Sequence, residues 1–170
     1  MKKKLIVFWL MSFLCIPLLS FYGRPLQLNI MTQFSTERLS FGLGLIFCAV
    51  ILVLFIALLK EGRNPYVYHL VWIAPLAFIL YASLPFVEKI HIALFGVFGF
   101  LSQRIFEQKM AAILCVAISF LDELLQHFLV ARVGDWRDVW LNLFSVSLGM
   151  FLAFLLFGGS TEQPVKRSVE

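Results

Sequence analysis

Two adjacent carboxylates, Asp122 and Glu123, close an apolar run, residues 111–121. On a helix, Glu123, Gln126 and His127 stand at i, i+3 and i+4, and Asp122 and Gln126 are also four apart, so a polar stripe forms near one end. A carboxylate inside an apolar membrane helix is expensive unless paired, hydrated or protonated. Such residues usually face a bundle interior and mark function. Glu123 is therefore a candidate catalytic base. His91 is a second one, because imidazole is the commonest general base. Lys89 and Arg132 suit a phosphate or carboxylate, Arg132 by a two-pronged contact. Asp122, Gln126, Asp138 and Asn142 complete the candidate ligand-binding set. Each has a plainer reading. Glu123 could pair with Arg132, Asp138 could cap a helix, and Asn142 could be interhelical glue.

These groups need apolar elements to hold them, and the composition supplies little else. Of 170 residues, 61% are hydrophobic and 14% are charged. Mean hydropathy is +0.92. Soluble domains are about half apolar and a quarter charged, so a water-soluble globule is excluded. The expected fold is all-α, a polytopic membrane bundle of six helices: residues 5–22, 40–59, 67–84, 90–106, 110–130 and 138–157. A spanning helix needs about 20 apolar residues, and the third and fourth segments are short. The expected breaks are Arg24-Pro25 with the polar stretch 32–38, then Lys60-Glu61-Gly62-Arg63-Asn64-Pro65, Pro85, the stretch 104–109 and the stretch 132–137.

Other signals are weak. The basic start Met1-Lys2-Lys3-Lys4 and the apolar run behind it look like a signal peptide. No small-residue cleavage site follows, so the segment reads as a first membrane helix. Cys15, Cys48 and Cys115 lie in apolar runs, with no metal or redox spacing, and read as packing. The basic residues form no stripe interleaved with aromatics, which argues against nucleic acid. No cofactor motif and no diagnostic metal spacing is present.

Lysine and arginine in short loops set orientation. With the N-terminus cytoplasmic, the inside holds Lys2, Lys3, Lys4, Lys60, Arg63, Arg104, Lys109, Lys166 and Arg167. The outside holds Arg24, Arg38, Lys89, Arg132 and Arg137. Both termini are therefore expected inside. In that arrangement Glu88-Lys89-Ile90-His91, the carboxylates of the fifth segment, the loop with Arg132 and Asp135, and Asp138 with Asn142 meet in one extracytoplasmic pocket.

Asp122-Glu123-Leu124-Leu125-Gln126, then Arg132, then Asp138-Val139-Trp140-Leu141-Asn142, then Gly149, resembles the family named for the glycopeptide-resistance protein VanZ. That pattern has an acidic-x-x-Gln stretch, a Gly-Arg turn, and Asp-x-x-x-Asn followed by small residues. An acidic-Lys-x-x-His stretch stands upstream. Here Glu88-Lys89-Ile90-His91 is one residue shorter, Ala131 replaces the usual Gly before the Arg, and Ser145 replaces a Gly after the Asn. Ser145-x-x-x-Gly149 still suits close helix packing. The resemblance covers residues 81–157. It implies a four-helix core at 67–157, with two additional helices at 1–66 and a polar cytoplasmic tail at 158–170. It also implies a cell-envelope role linked to teicoplanin resistance.

Three functions fit. The first is binding or transport of an anionic lipid or lipid-tailed glycopeptide at the cell membrane, with membrane lipids or a lipid-linked cell-wall intermediate as partner. The second is a membrane-embedded hydrolase or transferase acting on a lipid-linked envelope substrate. The third is a structural accessory subunit whose polar groups only fix helix packing.

Overall fold

The computed structural model describes residues 2–61, 81, 84, 86–129 and 136–157. The described residues form five helices: α1 (Lys2–Gln33), α2 (Thr36–Glu61), α3 (Phe86–Ile105), α4 (Gln108–His127) and α5 (Trp136–Phe157). No strand occurs among them. Most of the expected third segment, with His69, lies outside the described residues, as do Arg132, Asp135 and the tail. Three of the helices contain stretches long and apolar enough to cross a membrane: Lys3–Gly23, Gln108–His127 and Trp136–Phe157. Large apolar side chains cover their outer faces, among them Phe8, Leu14, Phe120, Leu124, Phe144 and Phe151. An inside-out distribution of this kind suits a lipid solvent.

Several boundaries differ from the sequence reading. α1 does not break at Arg24-Pro25. It runs through Pro17 and Pro25 to Gln33. A proline removes one backbone N–H, a loss that helices in apolar surroundings tolerate. The break comes at Phe34 and Ser35 instead. The Ser35 Oγ accepts a bond from the Arg38 amide at 3.4 Å, so Ser35 caps α2 and starts it at Thr36 rather than Ser40. α4 ends at His127 rather than residue 130. There the Phe128 and Leu129 amides bond to the Leu125 and Gln126 carbonyls at 3.2 and 3.1 Å, a tightened last turn. α5 begins two residues early, which puts Asp138 inside its first turn rather than at the cap.

The core is a small apolar cluster. Ile16 of α1, Phe95 and Phe98 of α3, Cys115 and Ile118 of α4 and Val146 of α5 are buried together, with Trp9, Phe13, Leu94 and Met150 against them. α1 therefore contributes to the same core as the helices behind it. The Trp9 indole N–H also donates to the Ser102 Oγ at 2.9 Å.

α3 and α5 pack closest of all. A Cβ added to Gly149 would overlap the Gly96 carbonyl and lie 2.9 Å from the Phe100 amide nitrogen. One added to Gly99 would lie 2.8 Å from the Val146 Cα. Only glycine fits at these two places, because backbone meets backbone. Ser145, one turn before Gly149, is completely buried beside them. The Ser145-x-x-x-Gly149 pair thus lies in a small-residue seam.

Candidate functional site

Helix direction decides which ends meet. Glu88 at the start of α3 pairs with Arg137 at the start of α5. Arg104 at the end of α3 lies 3.7 Å over the ring of Phe157 at the end of α5. These two helices are therefore parallel. α1 runs against α3, since Trp9 meets Phe106 edge to face and Ile16 clusters with Phe95. α4 is joined to α3 by the two residues Phe106 and Glu107 and runs back. The starts of α3 and α5, the end of α4 and the second half of α1 consequently share one end of the bundle.

That end is polar inside. Lys89, Asp122, Glu123, Gln126 and Asn142 retain 3%, 2%, 8%, 2% and 0% exposure. On α4 the buried face is Ala111, Cys115, Ile118, Ser119, Asp122, Glu123 and Gln126. Its spacing of three and four is that of one helix face, apolar at one end and polar at the other. His127 falls off this face and is exposed, so it does not extend the buried stripe.

The buried groups divide by what surrounds them. Asp122 is held on two sides: the Ser20 hydroxyl of α1 donates to one oxygen, and the Gln126 amide donates to the other at 2.8 Å. Burial removes the helix-end solvation that could have stabilised this carboxylate, and the two donors replace it. Asn142 is the opposite case. Neither its amide nitrogen nor its oxygen has a hydrogen-bond partner among the described residues. It lies on the α5 face that carries Ser145 and Gly149, above the seam.

Lys89 turns towards α2. Its ammonium donates to the Ser40 Oγ and lies 5.5 Å over the Tyr81 ring. It pairs with no carboxylate among the described residues. A cavity of about 350 Å³ opens there, lined by Glu37, Ser40, Phe41, Gly44, Leu45, Cys48, Tyr81 and Lys89. This size lies within the usual range for small-molecule sites.

The remaining candidates are less buried. His91 is half-buried, its ring stacked 6.0 Å from Phe95. Asp138 is half-buried. Glu88 and Arg137 form an ion pair whose arginine side is 64% exposed, and exposed pairs contribute about 0–1 kcal/mol. No group of three His, Cys, Asp or Glu residues fit to hold a metal exists among the described residues.

The model of the VanZ/LLP1 family matches residues 5–157. The chain belongs to the VanZ/LLP1 family. No curated protein and no solved structure matches it. The family match begins inside α1, upstream of the 81–157 stretch that holds the acidic, Arg and Asn motif. Within this family member, four residues near the polar end stand outside that motif: Ser20, Glu37, Ser40 and Tyr81. Ser20 carried a faint sequence signal. Ser12, Ile16 and Ser20 recur every fourth residue in an apolar run, and all three are buried. A hydroxyl repeated on one face of an otherwise apolar helix marks the face that meets protein. Ser40 and Tyr81 carried none, because their partner Lys89 lies 49 residues from Ser40 in sequence.

Proposed function

We propose that this chain is a multi-pass protein of the cell membrane that binds or transports the anionic group of a lipid or a lipid-tailed glycopeptide. Both termini lie in the cytoplasm in this reading, and the polar end of the bundle faces the extracytoplasmic side. A link to teicoplanin resistance belongs to the same proposal. The observation that carries it is Lys89. A buried ammonium is normally matched by an anion, and this one lines a largely apolar cavity where, among the described residues, a hydroxyl and an aromatic ring meet it and no carboxylate pairs with it. A phosphate or carboxylate supplies the missing charge. In this reading Arg132, which lies between α4 and α5 in sequence, serves as a second cation, and Asn142, whose amide has no partner among the described residues, orients the ligand.

One observation favours a scaffold role for part of the set. Asp122 is already bonded by Ser20 and Gln126, so it ties α1 to α4 rather than meeting a ligand.

The test is native mass spectrometry of the protein purified from membranes, beside Lys89→Met and Arg132→Ala. Retained phospholipid or lipid-linked adducts that disappear in Lys89→Met, with an unchanged melting profile, support the reading. Adducts retained equally in both variants overturn it.

A further inference from the structure

The cavity at Lys89 has a direction. Its α2 wall is Glu37, Ser40 and Phe41, Gly44 and Leu45, then Cys48. These positions recur every three or four residues, so they form one face of α2. From Glu37 to Cys48 that face is roughly 16 Å long at 1.5 Å per residue. One leaflet of hydrocarbon is about half of a 30 Å core. The wall is polar over its first turn and apolar beyond it, the gradient of a single lipid standing in one leaflet. Gly44 leaves the wall open, since a Cβ there would meet nothing within 4 Å.

The polar turn holds two opposite charges. Lys89 and Glu37 both line the cavity and form no ion pair with one another. An anion alone would satisfy Lys89 and be repelled by Glu37. A headgroup carrying both a phosphate and an ammonium satisfies both. The carboxylate favours an ammonium that still has N–H to donate. A quaternary ammonium is instead favoured by aromatic faces, and the Tyr81 ring in this cavity already faces Lys89.

We infer that the α2–α3 cavity is the seat of a zwitterionic phospholipid with a primary ammonium, phosphate at Lys89, ammonium at Glu37 and one acyl chain along Phe41, Leu45 and Cys48. This inference rests on the reading that the bundle binds a membrane lipid at Lys89, and it narrows which lipid.

The experiment is native mass spectrometry of the full chain reconstituted with chain-matched phosphatidylethanolamine, phosphatidylcholine and phosphatidylglycerol in equal amounts. Phosphatidylethanolamine is expected to be retained about tenfold over the other two, the scale of one hydrogen bond to a charged group. Glu37→Gln, an exposed position, abolishes the preference. Glu37→Lys reverses it towards phosphatidylglycerol. Gly44→Phe puts a ring into the open wall, where its Cβ meets nothing within 4 Å, and excludes all three. Phosphatidylglycerol retained as well as phosphatidylethanolamine, or a preference unchanged by Glu37→Gln, overturns the zwitterion while leaving a lipid site at Lys89. Adducts unaffected by Gly44→Phe overturn this cavity as the seat. Retention of none of the three lipids defeats the lipid reading and the inference with it.

Discussion

The α3–α5 seam and the polar end lie on the same helices, a few turns apart, and solve opposite problems. At the seam, Gly99 and Gly149 bring two backbones into contact and leave no room for a side chain. At the polar end, Asn142 is as deeply buried as Ser145 but makes no side-chain hydrogen bond among the described residues. The first region is optimised for packing. The second carries an expense that packing alone does not explain, and a region that is costly to keep is the better candidate for function.

Filling the seam at Gly149 and replacing Asn142 should therefore move stability in opposite directions. The largest effect is expected at the seam. Gly149→Leu forces a side chain into the Gly96 carbonyl, and should lower stability by about 3 kcal/mol or more, read as loss of monodisperse folded protein and a collapsed melting transition. Gly96→Ala is the matched control. Its Cβ would stand 3.7 Å from the Ser145 carbonyl, an ordinary contact, so its melting temperature should stay near that of the parent. A collapse of both variants would mean that the seam is tight throughout and the contrast between its glycines is wrong.

Next in size is Ser20→Ala, which removes one of the two donors to buried Asp122. About 1–2 kcal/mol should be lost. The double variant Ser20→Ala with Asp122→Leu should recover part of it, since the carboxylate left short of donors is gone. A double variant weaker than the single would show that Asp122 has a stabilising role beyond that bond.

Asn142→Leu should do the reverse. Replacing a buried amide that has no partner among the described residues by an apolar side chain of similar size should raise stability by about 1 kcal/mol while lowering ligand retention. A destabilised Asn142→Leu would place Asn142 with the scaffold and erase the difference between the two regions. The smallest effect is expected for Glu88→Gln. The ion pair with Arg137 is half in solvent, so the change should stay below about 1 kcal/mol and shrink further as salt is raised.

How much of this was readable in advance follows from the range of the interactions. The α4 stripe was legible because two carboxylates behind an apolar run can only face inward or fail. The shared end of α3, α4 and α5 was legible because consecutive short-loop helices alternate in direction. The close approach at Gly149 was legible from Ser145-x-x-x-Gly149. Local backbone detail was not: Pro25 looked like a helix end and Ser35 did not look like a cap. Nor was the direction of Lys89. From the sequence it belonged with Asp122 and Glu123, whereas its ammonium meets α2. No periodicity within α3 could specify that, since it depends on which neighbour packs there. His127 missed the buried face for the same kind of reason, as four residues after Glu123 brought it to the margin of the stripe.

The bond between Ser20 and Asp122 spans 102 residues of chain. It therefore carries an order of assembly. During synthesis the hydroxyl emerges first and waits, and the carboxylate arrives only after α1, α2 and α3 have been made. A closure between such distant points is slow to find and entropically dear when the chain is free. It becomes quick once α1 has docked on α3 through Trp9 and Phe13. The aromatic contacts of α1 thus act as a placeholder, holding a seat at the far end of the helix for an acid not yet translated.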